Sequence, residues 1–144
     1  KEWIKNKISD YGIEKCFHLF GSHPIEKMPM YYAEADAMLL TLKENEIFSK
    51  TVPAKLQTYM ACGKPIIAMI DGEASKIINQ SNAGLVCSSA DSNQLSKNIL
   101  KISNQSKDFL NEMSINSIKY YNNNFDRNML IKKIEKIFFN LSNY

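Results

Sequence analysis

The chain has 144 residues, one domain's worth, with 44% hydrophobic and 23% charged residues, the balance of an ordinary globular protein. Its net charge of +3 is too small to argue for a nucleic-acid partner. No apolar run approaches the roughly 20 residues of a membrane span, and the start at Lys1-Glu2-Trp3-Ile4-Lys5 is charged and amphipathic, unlike a secretory signal.

Taken in order, the chain alternates helices and strands. Trp3, Ile4, Ile8 and Tyr11 share a helix face that Gly12 ends. Cys16–Phe20 reads as a short strand closed by Gly21. Ser22 or His23 can cap the next helix, with Pro24 at its start, running to about Glu34. Ala37–Leu40 is a second strand, and Thr41 to Ser49 a long polar loop at its carboxyl end. A focal helix follows, then a strand at Ile66–Ile70. Gly72 opens a helix over Glu73–Gln80, with Ile77 and Ile78 inward. Leu85–Cys87 is a fourth strand. Asp91 caps a helix with Leu95, Ile99 and Leu100 on its face. A long helix from about Ser106 to Tyr121 is interrupted at Asn122-Asn123-Asn124. The last helix starts near Asp126 and carries Leu130, Ile131, Ile134 and Ile137. Such alternation predicts an α/β fold, a parallel sheet with helices on both faces. Ligands of such sheets bind outside the carboxyl ends of the strands. Three loops fit that edge: Gly21-Ser22-His23-Pro24, Thr41 to Thr51, and Ile70 to Glu73.

The focal stretch runs Lys50-Thr51-Val52-Pro53-Ala54-Lys55-Leu56-Gln57-Thr58-Tyr59-Met60-Ala61-Cys62-Gly63-Lys64-Pro65-Ile66-Ile67. Thr51 suits an N-cap and Pro53 the first helical turn. Leu56, Tyr59 and Met60 form one apolar face. Gly63 is the left-handed stop, and Pro65 opens a strand buried on both faces. A helix entered from a polar loop offers free N–H groups near Ala54, Lys55 and Leu56 and a partial positive charge, an anion site to which Lys50 and Lys55 add cations.

Pro53-Ala54-Lys55 followed by Tyr59-Met60-Ala61-Cys62-Gly63-Lys64-Pro65 resembles the donor-binding segment of the family-4 retaining glycosyltransferases of the GT-B fold, in particular the bacterial surface-polysaccharide subgroup. Phe17 with Gly21, Ala35-Asp36-Ala37 and Phe125-Asp126 resemble weaker family motifs in the same order. The resemblance implies that residues 1–144 are a Rossmann-like C-terminal domain, one half of a GT-B fold, binding a nucleotide-diphosphate sugar. The donor carrier is expected to be UDP, with no other cofactor and no metal. The acceptor, a glycan or lipid-linked sugar, would bind an N-terminal domain outside this chain, as would the first strands, so the chain alone is expected to be inactive. The implied donor-binding residues are Gly21, Ser22 and His23 in the loop that receives the base, and Lys50, Thr51, Val52, Pro53, Ala54, Lys55 and Thr58 at the focal helix. The resemblance also implies a cytoplasmic protein, peripheral at most on the inner membrane face. Where many members carry Glu, seven residues and Glu, this chain has Lys50 and Thr58. Thr58 can still hydrogen-bond a ribose hydroxyl, and Glu44 and Glu46 are candidate substitutes for the missing sugar-binding carboxylate.

Other readings leave less of the sequence explained. Cys16, Cys62 and Cys87 are widely spaced, without Cys-x-x-Cys, and read as reduced, buried thiols. His18 reads as core, His23 as a base contact or cap. Asp71, Glu73 and Asp91 read as turn and cap residues, and Phe17, Phe20, Tyr31, Tyr32 and Tyr59 as packing. The Lys132-Lys133-Lys136 face reads as solvated, with membrane-surface contact the alternative. A sugar-nucleotide epimerase of the same architecture and a non-catalytic α/β partner-binding module are the rival functions. The second lacks the clustered acids that a response regulator carries at its strand ends.

Overall fold

The computed structural model describes residues 2–142; Lys1, Asn143 and Tyr144, at the limits of the 1–144 domain reading, lie outside the described residues. Three strands, β1 (Met38–Thr41), β2 (Ile66–Met69) and β3 (Gly84–Cys87), form a parallel sheet in the order β1-β2-β3. Met38 lies opposite Ile66, and Ile66 opposite Gly84. The helices are α1 (Glu2–Asp10), α2 (Met28–Glu34), α3 (Glu46–Ser49), α4 (Ala54–Ala61), α5 (Glu73–Ser81), α6 (Ser92–Ser103), α7 (Lys107–Asn124) and α8 (Arg127–Ser142). The chain is therefore α/β, a Rossmann-like parallel sheet, with β2 in the middle.

The two-residue period of a strand divides the core into two layers. Leu40, Ile66, Ala68 and Ile70 pack with Leu56, Tyr59 and Met60 of α4 and Ala74 and Ile78 of α5. Ile67 points the other way, to Ile102 of α6 and Met113 of α7. Leu56, Met60 and Ile66 are fully buried, each stabilising the fold by about 1.5–3 kcal/mol. Helices thus cover both faces.

Helix α7 joins the layers. Phe109, Leu110 and Met113 belong to the second, Tyr120 and Tyr121 to the first. Between them Ser117 is fully buried, and its Oγ donates to the Lys64 carbonyl at 3.3 Å. Gly63 has φ +61°, and a Cβ there would come within 2.6 Å of Ile118 Cδ1. The Lys64 ammonium reaches the Ala33 carbonyl at the end of α2, 2.7 Å away. The Gly63-Lys64-Pro65 turn is therefore packing hardware at the amino edge of the sheet.

Four expectations are corrected. Cys16–Phe20 is no strand. The Cys16 and Phe17 N–H groups turn back onto the Ile13 carbonyl, and Cys16, Phe17, His18 and Phe20 are exposed rather than core. A strand needs a ladder partner. Among the described residues β1 pairs only with β2, and Leu39 on its second face is 52% exposed. On α1 only Ile8 is buried. On α6 the buried stripe is Leu95, Asn98 and Ile102, leaving Ile99 and Leu100 exposed; the Asn98 Oδ1 accepts from Gln94 Nε2 at 3.0 Å, while its buried Nδ2 has no hydrogen-bond partner among the described residues. Finally, α7 continues through Asn122-Asn123-Asn124, where Asn124 Nδ2 donates to the Tyr120 carbonyl at 2.9 Å.

Candidate functional site

The carboxyl edge of the sheet carries a cleft of about 350 Å³, lined by Leu42, Lys43, Glu44, Asn45, Glu46, Phe48 and Ser49 after β1, by Ile70 and Asp71 after β2, and by Ser89 after β3. One side is α3, a single turn inside the loop that the sequence pattern leaves irregular. It forms because Asn45 is a good N-cap, its Oδ1 accepting from the Ile47 N–H at 2.8 Å. The Asp71 carboxylate takes the Ser89 N–H on both oxygens, at 3.3 and 3.2 Å, tying the exits of β2 and β3 together. Gly72, the N-cap of α5, has φ +77°. Its Cα lies so close to α3 that a Cβ would fall 1.8 Å from the Ser49 carbonyl oxygen.

None of the ten sequence-predicted residues lines this cleft, although Glu44 and Glu46 do. Lys50 closes α3 and pairs with Glu46 at 2.5 Å in the open, an ion pair worth about 0–1 kcal/mol. Thr51 is not the cap of α4; its hydroxyl donates to the Phe48 carbonyl at 3.2 Å, finishing α3 instead. Val52 packs against the first core layer. Pro53 occupies the N-cap position, without a side-chain cap. The Leu56 N–H bonds the Pro53 carbonyl at 2.9 Å, so it is not among the free donors expected there. Ala54, Lys55 and Thr58 are exposed, and Thr58 Oγ1 donates back to the Ala54 carbonyl at 3.1 Å.

The loop of Gly21, Ser22 and His23 is exposed. Gly21 takes φ +80°. Neither Ser22 nor His23 caps a helix: a 3₁₀ turn starts at Ile25 after Pro24, and α2 starts at Met28. His23 Nε2 instead meets the Tyr31 hydroxyl at 3.0 Å. No hydrogen bond or ring contact joins this loop to α4 among the described residues. Their helices do meet, Tyr32 of α2 against Tyr59 of α4 with centroids 5.8 Å apart. Both helices run back against the strands, so both begin toward the carboxyl edge. Asn45, Asp71 and Ser89 line the cleft, yet none of them stands out in the sequence as a site residue. The carboxyl-edge rule, extended to the loop after Leu85–Cys87, points to Ser89.

Among the described residues no group of three or more His, Cys, Asp or Glu side chains could hold a metal ion, and no helix is long and apolar enough to cross a membrane.

Residues 1–105 match the family described as glycosyl transferases group 1. Over 101 residues, 69% of this chain, the sequence is 28% identical to the amylovoran biosynthesis glycosyltransferase AmsK of Erwinia amylovora, of which it covers 25%. The chain thus spans about a quarter of the length of that curated relative. All three strands and the carboxyl-edge cleft fall inside the family match.

Proposed function

Since this chain belongs to the group 1 glycosyl transferases, we propose that it is the donor-binding domain of a retaining glycosyltransferase and takes a nucleotide-diphosphate sugar, in the first instance a UDP-sugar, along the carboxyl edge of its sheet. The observation that carries this reading is the cleft between α3 and the exits of β2 and β3, with the start of α4 following α3 after four residues. In this arrangement the sugar lies in the cleft, its hydroxyls on the Glu44 and Glu46 carboxylates and on Asp71. The diphosphate lies at the start of α4. There the unused backbone donors and the Lys55 ammonium meet its charge, and Lys50 is free to leave its weak partner Glu46. Base and ribose extend toward Thr58 and the loop of Gly21, Ser22 and His23.

Chemically, the chain's task is to hold the departing diphosphate. Charge that develops there as the glycosidic bond breaks is stabilised by fixed dipoles and cations, so no carboxylate of this chain need act as an acid. Acceptor binding, by a glycan or lipid-linked sugar, belongs to a second domain. A role in surface-polysaccharide assembly draws support from the Pro-Ala-Lys and Tyr-Met-Ala-Cys-Gly-Lys-Pro wording and from the relative named for amylovoran biosynthesis. Calorimetric titration with UDP tests the reading: Lys55→Ala should weaken binding by about 1–3 kcal/mol, the range for hydrogen bonds to charged groups. Unchanged binding in Lys55→Ala, Lys50→Ala and Thr58→Val alike would leave α4 a scaffold only.

A further inference from the structure

The charges of the cleft select among sugars, an inference that rests on the donor reading above. Among the described residues four ionisable side chains line it: Lys43, Glu44 and Glu46 after β1, and Asp71 after β2. Three carboxylates stand against one ammonium, so the lining carries a net charge of −2. Lys50 pairs with Glu46 without lining the cleft; counting it still leaves one carboxylate in excess. The chain as a whole has the opposite sign, +3.

Groups that would receive an acid are elsewhere or already engaged. A carboxylate is held best by the two-pronged guanidinium of arginine, and the chain's one arginine, Arg127, opens α8 and does not line the cleft. Backbone N–H groups are the usual alternative. That of Ser89 is taken by the Asp71 carboxylate, and that of Ile47 by Asn45 Oδ1. The Ser49 hydroxyl donates to the Glu46 carbonyl at 2.8 Å. What the lining offers in excess is acceptors. Carboxylates take hydrogen bonds from hydroxyl and amine groups, the groups that a neutral or an amino sugar presents. A sugar acid would bring a fourth carboxylate among three, and like charges about 5 Å apart at a protein surface repel by enough to cost roughly tenfold or more in affinity.

We propose that the cleft admits donor sugars without an acidic group, hexoses and aminohexoses, and turns away uronic acids, with Glu44 and Glu46 as the excluding charges. The same two carboxylates that accept from the hydroxyls of a neutral sugar thus set the class of sugar. Lys43 tempers the exclusion, since it is the one cation of the lining among the described residues.

Calorimetric titration of the full chain with UDP, UDP-glucose and UDP-glucuronic acid tests it. The two conjugates differ only at C6, a hydroxymethyl group in one and a carboxylate in the other. UDP-glucose should bind roughly tenfold or more tighter than UDP-glucuronic acid. Glu44→Gln with Glu46→Gln leaves Lys43 against Asp71 and should close that gap to about threefold or less; Lys43→Ala should widen it. Because Lys43, Glu44 and Glu46 are exposed, circular dichroism and thermal melting of these variants should match the wild type. If UDP binds and the wild type takes both conjugates alike, or prefers UDP-glucuronic acid, the donor reading stands and this proposal is overturned. A wild-type gap that the glutamine variant leaves unchanged also overturns it, since the excluding charge then lies elsewhere. If neither UDP nor a conjugate binds, the donor reading falls and the proposal falls with it.

Discussion

The α-carbon of Gly72 rests directly against the backbone of Ser49: a methyl group added at Gly72 would lie 1.8 Å from the Ser49 carbonyl oxygen. This contact seats α3 on the exit of β2 and so sets the width of the candidate donor cleft. It also asks for φ +77°, which glycine adopts without cost.

Gly72→Ala should therefore destabilise the domain by about 2 kcal/mol or more, from the left-handed backbone and from overpacking together. Gly12, at φ +62° with nothing within 4 Å of its would-be Cβ, provides the comparison. Gly12→Ala should cost only about 1 kcal/mol, from backbone strain alone. Urea midpoints for the two variants measure the difference. Equal shifts would mean that α3 moves aside freely and does not fix the cleft.

Asp71→Ala should leave the Ser89 N–H without its acceptor and cost about 1–3 kcal/mol. Hydrogen exchange at the Ser89 amide should quicken while that of the β2 amides changes little. An unchanged Ser89 rate would show that the tie between the exits of β2 and β3 is not formed in solution.

Burial pushes the Tyr59 phenol and the Cys62 and Cys87 thiols above their ordinary values, with the nearby Asp91 and Asp71 charges acting in the same direction on Cys87. In each case the fold favours the neutral form, so the unfolded chain releases its proton first as pH rises. The stability they contribute is complete below the ordinary values of 9.0 for the thiols and 10.0 for the phenol, and is lost as pH climbs through the raised values. Urea midpoints should be level from neutral pH to about pH 8 and fall above it. The fall should be shallower in Cys87→Ala. Alkylation should follow the same order: Cys16, exposed, reacts first, and buried Cys87 last. A Cys87 that reacts as fast as Cys16 in the native protein would contradict this.

Local and two-layer features were legible in the sequence; features that depend on distant partners were not. The run Ile66–Ile70 announces a central buried strand through composition alone, and Gly63 announces its turn through the left-handed stop of a helix. Cys16–Phe20 has the same apolar look, but a strand exists only with a neighbour, and no local pattern reports one. Asn98 is buried where Ile99 is exposed because the helical phase set by Leu95 and Ile102 outweighs the polarity of one residue. At the candidate site the informative residues were short-range polar ones. Asn45 builds α3 and Asp71 ties two loops, and both read in one dimension as ordinary turn residues. The most recognisable words, Gly63-Lys64-Pro65, lie at the amino edge and serve packing, whereas the candidate ligand groups lie at the carboxyl edge.

In the proposed arrangement one donor spans two adjacent stations, sugar in the cleft and diphosphate at the start of α4. This arrangement is tested most directly by titrating UDP and a UDP-sugar calorimetrically against the same set of variants. Glu44→Gln and Glu46→Gln should weaken the UDP-sugar, each by about 1–3 kcal/mol, while leaving UDP unchanged or slightly tighter because a nearby negative charge is gone. Lys55→Ala should weaken both ligands equally. If the glutamate variants weaken UDP and its sugar conjugate to the same extent, or Lys55→Ala affects neither, the donor does not lie across this edge and the two-station account is wrong.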